Sequence, residues 1–312
     1  MLSCLAVPTD TAQRIIYIPG KNPKPLAEQH RRELWRSLLA GVGHADPIVQ
    51  QEIAKTPDVF SLIAWNIIYY QSYRSFDEDL PWIDALLKRT GATPEEIREA
   101  LSFRRRTARF MYSLADLFNF LIPLLPDQAV KHTIQETTRY FANAGGIGAQ
   151  VRELLKAPLR EMLAQNKRVL IIGHSLGSVI AYDALWELTH IEKNPGRVDL
   201  FLTLGSPLGM RYTQQRLLGA HTKGKRRYPH NIRRWVNVAA QGDLTALDPI
   251  LCDDFRAMQK LGLVESITDV NRGIFNYFRN DRGLNVHRSY GYLVNPRVGE
   301  IIAQWWNQKE AA

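Results

Sequence analysis

The chain has 312 residues, 45% of them apolar, enough for one large α/β domain or two ordinary ones around a sizeable core. Its 40 lysines and arginines outnumber its 31 aspartates and glutamates, a net charge of +9 that favours phosphate-bearing partners, either nucleic acid or an anionic membrane surface. The basic residues gather in "FRRRTAR" (103–109) and "HTKGKRRYPHNIRR" (221–234), and the absence of a zinc-finger pattern, RNP-type motif or basic heptad region disfavours nucleic acid.

At the N-terminus, "MLSCLAVPTDTAQR" has no basic segment leading into a long apolar one, so no signal peptide is expected. The only two cysteines, Cys4 and Cys252, are far apart and fit neither a disulfide framework nor a metal motif. No run reaches the roughly 20 apolar residues of a membrane span. These features predict a cytoplasmic protein, at most peripheral to a membrane.

"RIIYIPG" (14–20) reads as a buried strand ending in a turn, and "KPLAEQHRRELWRSLLAG" (24–41) as a helix, with Leu26, Leu34, Leu38 and Leu39 at helical spacing. "WNIIYYQSY" (65–73), aromatic and β-branched, predicts a second strand. From about 76 to 147 helix formers and arginines dominate, punctuated by Pro81, Pro94, Pro123 and Pro126. That stretch is expected to be a helical insertion within a single domain spanning 1–312, because strand signals resume after it. A helix over 147–166 leads to the strand "KRVLIIG", and "LGSVIAYDALWELTH" (176–190) is helical from its first residue. "RVDLFLTLGSP" (197–207), "IRRWVNVAAQGD" (232–243) and, more weakly, "VESITDV" (264–270) are further strands. Strands alternating with helices predict an α/β fold with a mostly parallel sheet, covered by helices on both faces.

The chemistry centres on "VLIIGHSLGS" (169–178), a G-x-S-x-G motif placed where a buried strand turns at once into a helix. In that context the serine, Ser175, occupies a strained elbow with its Oγ above the sheet. Gly173 and Gly177 are small because strand and helix cross closely there. The N-terminus of the following helix aims backbone N–H groups at any oxyanion forming on the serine's substrate.

On "RVLIIGHSLGSVIAYDALWEL", with "LFLTLGSPLG" downstream, the chain resembles the α/β-hydrolase superfamily, and most closely its lipase- and esterase-like serine hydrolases. The resemblance runs from "IIYIPG" to "VHRSYGY". It implies a mostly parallel sheet and acyl transfer to water through an acyl-enzyme.

In this fold the nucleophile is followed in the chain by an acid and then a histidine. Of the histidines after Ser175, His190 ends the following helix, and His221 and His230 precede any acid that closes a late strand. His287 is left as the base. Asp243, directly after the strand "RRWVNVAA", is the favoured acid, and the resemblance supports it through the W-x-N pattern of that strand. Asp248 is the alternative, although it precedes Pro249 and suits a turn or cap; Asp253, Asp254 and Asp269 are weaker candidates. The oxyanion donors are expected to be the N–H groups of Leu176 and Lys21, with Gly20 in place of Lys21 as the alternative. Where the superfamily often has His-Gly in this loop, this chain has Pro19-Gly20. His174 is read as packing or loop support.

The expected activity is hydrolysis of a small-molecule or lipid carboxylic ester by a serine esterase or lipase, with no metal or organic cofactor. An acyltransferase or thioesterase using the same triad is the enzymatic alternative, and a non-catalytic interaction protein on a hydrolase scaffold is the other. In "FMYSLADLFNFLIPLL" (110–125), Phe110, Leu114, Leu117, Phe118, Leu121 and Leu125 recur at helical spacing behind the arginines of "FRRRTAR". That pattern suits either an interfacial lid meeting anionic lipid or a face packed on the insertion's other helices.

Overall fold

The computed structural model describes residues 12–77, 79–117 and 136–308. Cys4, Pro123, Pro126 and the 118–125 part of the predicted amphipathic face lie outside them. Six strands form one parallel sheet: β1 (Gln13–Ile18), β2 (Phe60–Leu62), β3 (Arg168–His174), β4 (Val198–Leu204), β5 (Ile232–Val238) and β6 (Ser266–Val270). Their spatial order is β2-β1-β3-β4-β5-β6.

The apolar runs of the strands are continuous because both faces are covered, and alternate residues feed two separate cores. Ile16, Ile18, Val169, Ile171, Phe201 and Trp235 pack with the helices Ile147–Ala164 and Leu176–His190. Ile15, Tyr17, Leu170, Ile172, Leu200 and Leu202 pack with Ala27–Ala45 and Pro296–Asn307. Each such side chain, fully buried, contributes about 1.5–3 kcal/mol. The chain runs from β1 outward to β2, then returns to β3 and builds the rest of the sheet on the other side. The loops after β1 and β3 therefore diverge above neighbouring strands, the switch point at which open α/β sheets bind ligands.

The segment expected to be the second strand is instead a helix, Trp65–Tyr70, and the strand is the three-residue Phe60–Leu62, two residues upstream of it. Aromatic and β-branched composition does not separate a short buried helix from a strand, and a three-residue edge strand carries too little pattern to be seen. Gln71 adopts φ 52° and ends this helix, its N–H bonded to Ile67 O. Within 76–147 the described residues form the helices Leu80–Leu87, Pro94–Ala100 and Phe103–Leu117 and a short helix over 136–141. Pro94 sits at a first helical position, and Thr93 and Glu96 close a capping box around it. Pro81 likewise lies in the first turn of its helix, so the two described prolines of this stretch start helices.

Candidate active site

Ser175 lies between β3 and the helix Leu176–His190 with φ 54° and ψ −128°, a conformation that costs a residue with a Cβ about 1–3 kcal/mol. Main-chain bonds hold it there. Its N–H donates to Leu204 O at 3.0 Å, and its carbonyl accepts from the N–H of Ser178 at 3.0 Å and from Ser178 Oγ at 2.6 Å. The second glycine of the motif has a steric reason: a Cβ at Gly177 would stand 2.2 Å from Ile18 O of β1. Leu176 is the first residue of the helix, so its N–H has no acceptor in a preceding turn and the positive end of the helix lies beneath Ser175.

The loop after β1 faces the same turn. A Cβ at Gly20 would be 2.8 Å from Ser175 Cβ, which places the Gly20–Lys21 backbone against the serine. The helix misread as a strand holds this loop. Trp65 Nε1 donates to Pro19 O (2.8 Å), Asn66 Nδ2 donates to Gly20 O and Asn22 O (both 2.9 Å), and Tyr70 OH accepts from the Asn22 N–H (3.0 Å). With its carbonyls taken from behind by fixed side chains, the loop does not need the histidine that the superfamily often places there. Read as a strand, these aromatic residues give no sign of this contact with the loop, although Trp65 is also buried in the core.

Asp243 follows β5 and His287 lies in a loop near the C-terminal helices. His287 Nδ1 donates to Asp243 Oδ2 at 2.8 Å; the His287 side chain is 28% exposed and that of Asp243 is fully buried. Tyr292 OH donates to the same oxygen at 2.6 Å and accepts from the Ala240 N–H at 2.9 Å, while Thr245 N–H donates to Asp243 Oδ1 at 2.8 Å. Burial pushes the Asp243 carboxyl upward, but His287, Tyr292 and the Thr245 N–H outweigh it and hold the group below its ordinary value. The carboxylate is therefore ionised throughout the neutral range.

Two residues tie this pair to the serine turn. His174 Nε2 donates to the His287 carbonyl at 2.8 Å, and the two imidazole rings lie 4.8 Å apart. Burial, and next the neighbouring His287, push the His174 imidazole well below its usual value, so it is neutral and fixed as the Nε2–H tautomer. Gly205, next to the Leu204 carbonyl that holds Ser175, has φ 54°, and a Cβ there would stand 2.7 Å from Asp243 Oδ2 and 3.1 Å from His287 Nδ1. Any larger residue would push the acid and the histidine apart. The Tyr292 contact gave no sign in the sequence, since one tyrosine in "HRSYGYL" looks like the other.

The rival assignments fall elsewhere. Asp248 accepts from Ile250 N–H at 3.0 Å, a local turn. Asp253 pairs with Arg256, and Asp269 caps the Leu251–Asp254 helix through the N–H groups of Leu251 and Cys252. Burial, then Asp248, push the Asp254 carboxyl up to about 6. His190 Nε2 donates to Tyr228 O, His230 Nε2 donates to Lys225 O, and His221 is exposed, so none of these contacts Asp243. Among the described residues, no group of three His, Cys, Asp or Glu side chains is arranged to hold a metal ion.

The parallel sheet between two helical layers, with a serine at the tight turn after β3, is the arrangement of the α/β-hydrolase fold. Residues 101–242 match the family model for lipase (class 3). The match takes in Ser175 and ends one residue before Asp243, and it supports lipase-like ester hydrolysis. No curated protein and no solved structure matches the chain.

Proposed function

We propose that the protein hydrolyses carboxylic esters through an acyl-enzyme, with Ser175 as nucleophile, His287 as general base and acid, and Asp243 as the group that orients the imidazole. The observation that carries this reading is the 2.8 Å bond from His287 Nδ1 to Asp243, which leaves Nε2 as the nitrogen that exchanges a proton with Ser175. Ser175 Oγ adds to the acyl carbon as its proton passes to Nε2. The resulting oxyanion is met by the N–H groups of Leu176 and Lys21, with Gly20 as the other candidate donor. Collapse of the tetrahedral species breaks the ester C–O bond, and the departing alcohol takes the proton from Nε2. Water then adds to the acyl-enzyme by the same proton route, releasing the acid and restoring Ser175. No step in this sequence calls for a metal or organic cofactor.

p-Nitrophenyl esters of rising acyl length provide the test. Turnover of at least part of the ladder is expected, together with stoichiometric labelling of Ser175 by a fluorophosphonate. Labelling elsewhere, with no turnover of any ester, overturns the reading.

In this reading the described helices between Leu80 and Leu117 belong to an insertion that carries a lid. Along the helix Phe103–Leu117, Arg105 Nη2 donates to Leu284 O in the His287 loop (3.0 Å), and Arg109 Nη2 donates to Leu247 O in the Asp243 loop (2.7 Å). Asp116 accepts from the N–H groups of Arg211 and Tyr212 beyond β4 (2.7 and 2.9 Å). The outer side exposes Phe103 (80%), Phe110 (65%) and Met111 (46%), and helical spacing sets exposed Arg106 and Arg104 on either side of that stripe. An apolar stripe flanked by cations suits an anionic membrane surface. Among the described residues no helix is long and apolar enough to cross a membrane. At low salt, Arg104→Ala with Arg106→Ala should weaken co-sedimentation with phosphatidylglycerol vesicles by roughly tenfold or more, at about 1 kcal/mol per arginine. Arg105 is left in place because it holds the His287 loop. Equal sedimentation of wild type and variant, or none at all, removes the membrane from this reading.

A further inference from the structure

Beside His287 opens a cleft of about 590 Å³ lined by Arg74, Arg105, Arg282 and Arg288 as well as by His287 and Asp243. The carboxylates of its lining are Asp79, Asp281 and Asp243. Asp79, buried, is shared by Arg74 (3.3 Å) and Arg288. Asp281 sits with Arg282 on an exposed turn, and Asp243 is already engaged by His287, Tyr292 and Thr245. Arg288 Nε is buried with no hydrogen-bond partner among the described residues, and Arg282 makes no ion pair among them. A basic group also stands close by: Lys24 Nζ donates to Lys21 O at 2.8 Å. Burial, then Arg288 and Arg74, push it down to about 7. Guanidinium groups gathered along one cleft repel one another and are favoured by an anion between them, and their forks match the oxygens of phosphate and carboxylate.

We propose that this cleft binds an oxyanion, the phosphate or carboxylate of the ester being cleaved, and so selects substrates that carry a negative charge on their alcohol portion. The alcohol side is assigned because His287 gives its proton to the departing oxygen, so a group reaching past His287 into the cleft belongs to the alcohol. The selectivity rests on the hydrolase reading above, whereas the anion site can be measured without it.

In the full-length protein, inorganic phosphate should raise Tm. Arg282→Gln and Arg74→Gln should each weaken phosphate binding roughly ten- to hundredfold, as expected for the loss of one charge-assisted hydrogen bond. Arg282 lies on an exposed turn, so that variant keeps the test valid if loss of Arg74 disturbs folding. In turnover, the ratio of kcat/KM for 1-butyrylglycerol 3-phosphate to that for uncharged 1-butyrylglycerol should exceed one, and should fall by a similar factor in both variants. A preference for phosphatidylglycerol over phosphatidylcholine vesicles that depends on the same arginines would identify a lipid headgroup as the source. A preference confined to the short-chain pair would identify a soluble ester. Phosphate stabilisation that both variants retain in full, or a wild-type ratio at or below one, overturns the proposal. Phosphate binding at the cleft without hydrolysis of either ester supports the anion site and removes the hydrolase reading, while equal hydrolysis of both esters without phosphate binding does the opposite.

Discussion

Ser175→Ala is expected to abolish fluorophosphonate labelling and to lower kcat by roughly 10³–10⁶, the range spanned by losses of a triad serine. The size follows from the division of labour in the proposed site. Oxyanion donors and binding survive the substitution, but no atom remains to form the acyl-enzyme, and His287 loses the proton it would take. The fold should not change. The bonds that hold the turn belong to the main chain of Ser175 and to Ser178, and the Ser175 side chain makes no capping bond. Circular dichroism melting should therefore place Ser175→Ala close to wild type. Ser175→Gly should be as inactive yet more stable than Ser175→Ala by about 1–3 kcal/mol, because glycine relieves the strain stored at φ 54°. Undiminished ester hydrolysis in either variant removes Ser175 from the mechanism. A glycine variant no more stable than the alanine variant would show that the turn is not strained.

The parts of the site that could be read in the sequence are those with a local physical cause. A buried strand, two glycines and a helix starting at once determine where Ser175 stands, and the steric cost of a Cβ at Gly177 explains why the pattern is informative. Chain order after the serine leaves His287 as the base, and the strand end before Asp243, with the resemblance, favours it over Asp248; His287 and Asp243 lie 2.8 Å apart. Contacts between distant segments were not legible. Nothing in "WNIIYYQSY" says that Trp65, Asn66 and Tyr70 face the backbone of residues 19–22, because a hydrogen bond across more than 40 positions leaves no periodicity. The same gap hid Tyr292 behind Asp243, and the gathering of Arg74, Arg282 and Arg288 from segments some 200 residues apart in the chain. The strand error at 65–73 has a related origin. Its aromatic residues are buried because the helix packs on the core and on the loop after β1, and burial gives the composition of a strand without its geometry.

Asp243→Asn is expected to leave the protein folded and to lower kcat by about 10²–10⁴. In the wild type the carboxylate accepts from His287 Nδ1 and Tyr292 OH on one oxygen and from Thr245 N–H on the other. An asparagine has only one acceptor oxygen. If that oxygen stays with Tyr292 and His287, its NH₂ group faces the Thr245 N–H; if it turns toward Thr245, the NH₂ faces Nδ1, favours the wrong imidazole tautomer and leaves Nε2 without a free lone pair. Either arrangement also removes the negative charge that stabilises the imidazolium. Tyr292→Phe, which keeps the charge and loses one hydrogen bond, should cost about tenfold or less. The stability difference has a definite sign. Because the folded-state value of Asp243 lies below its ordinary one, the ionised group contributes stability above the unfolded carboxylate value of about 4 and loses it as pH falls through the folded value. Wild type should thus exceed Asp243→Asn in stability at neutral pH, and the two should converge in acid. Asp248→Asn, which alters only a turn onto the Ile250 N–H, should change kcat little. A larger loss of kcat in Asp248→Asn than in Asp243→Asn would transfer the acid's role to Asp248 while leaving Ser175 and His287 in theirs.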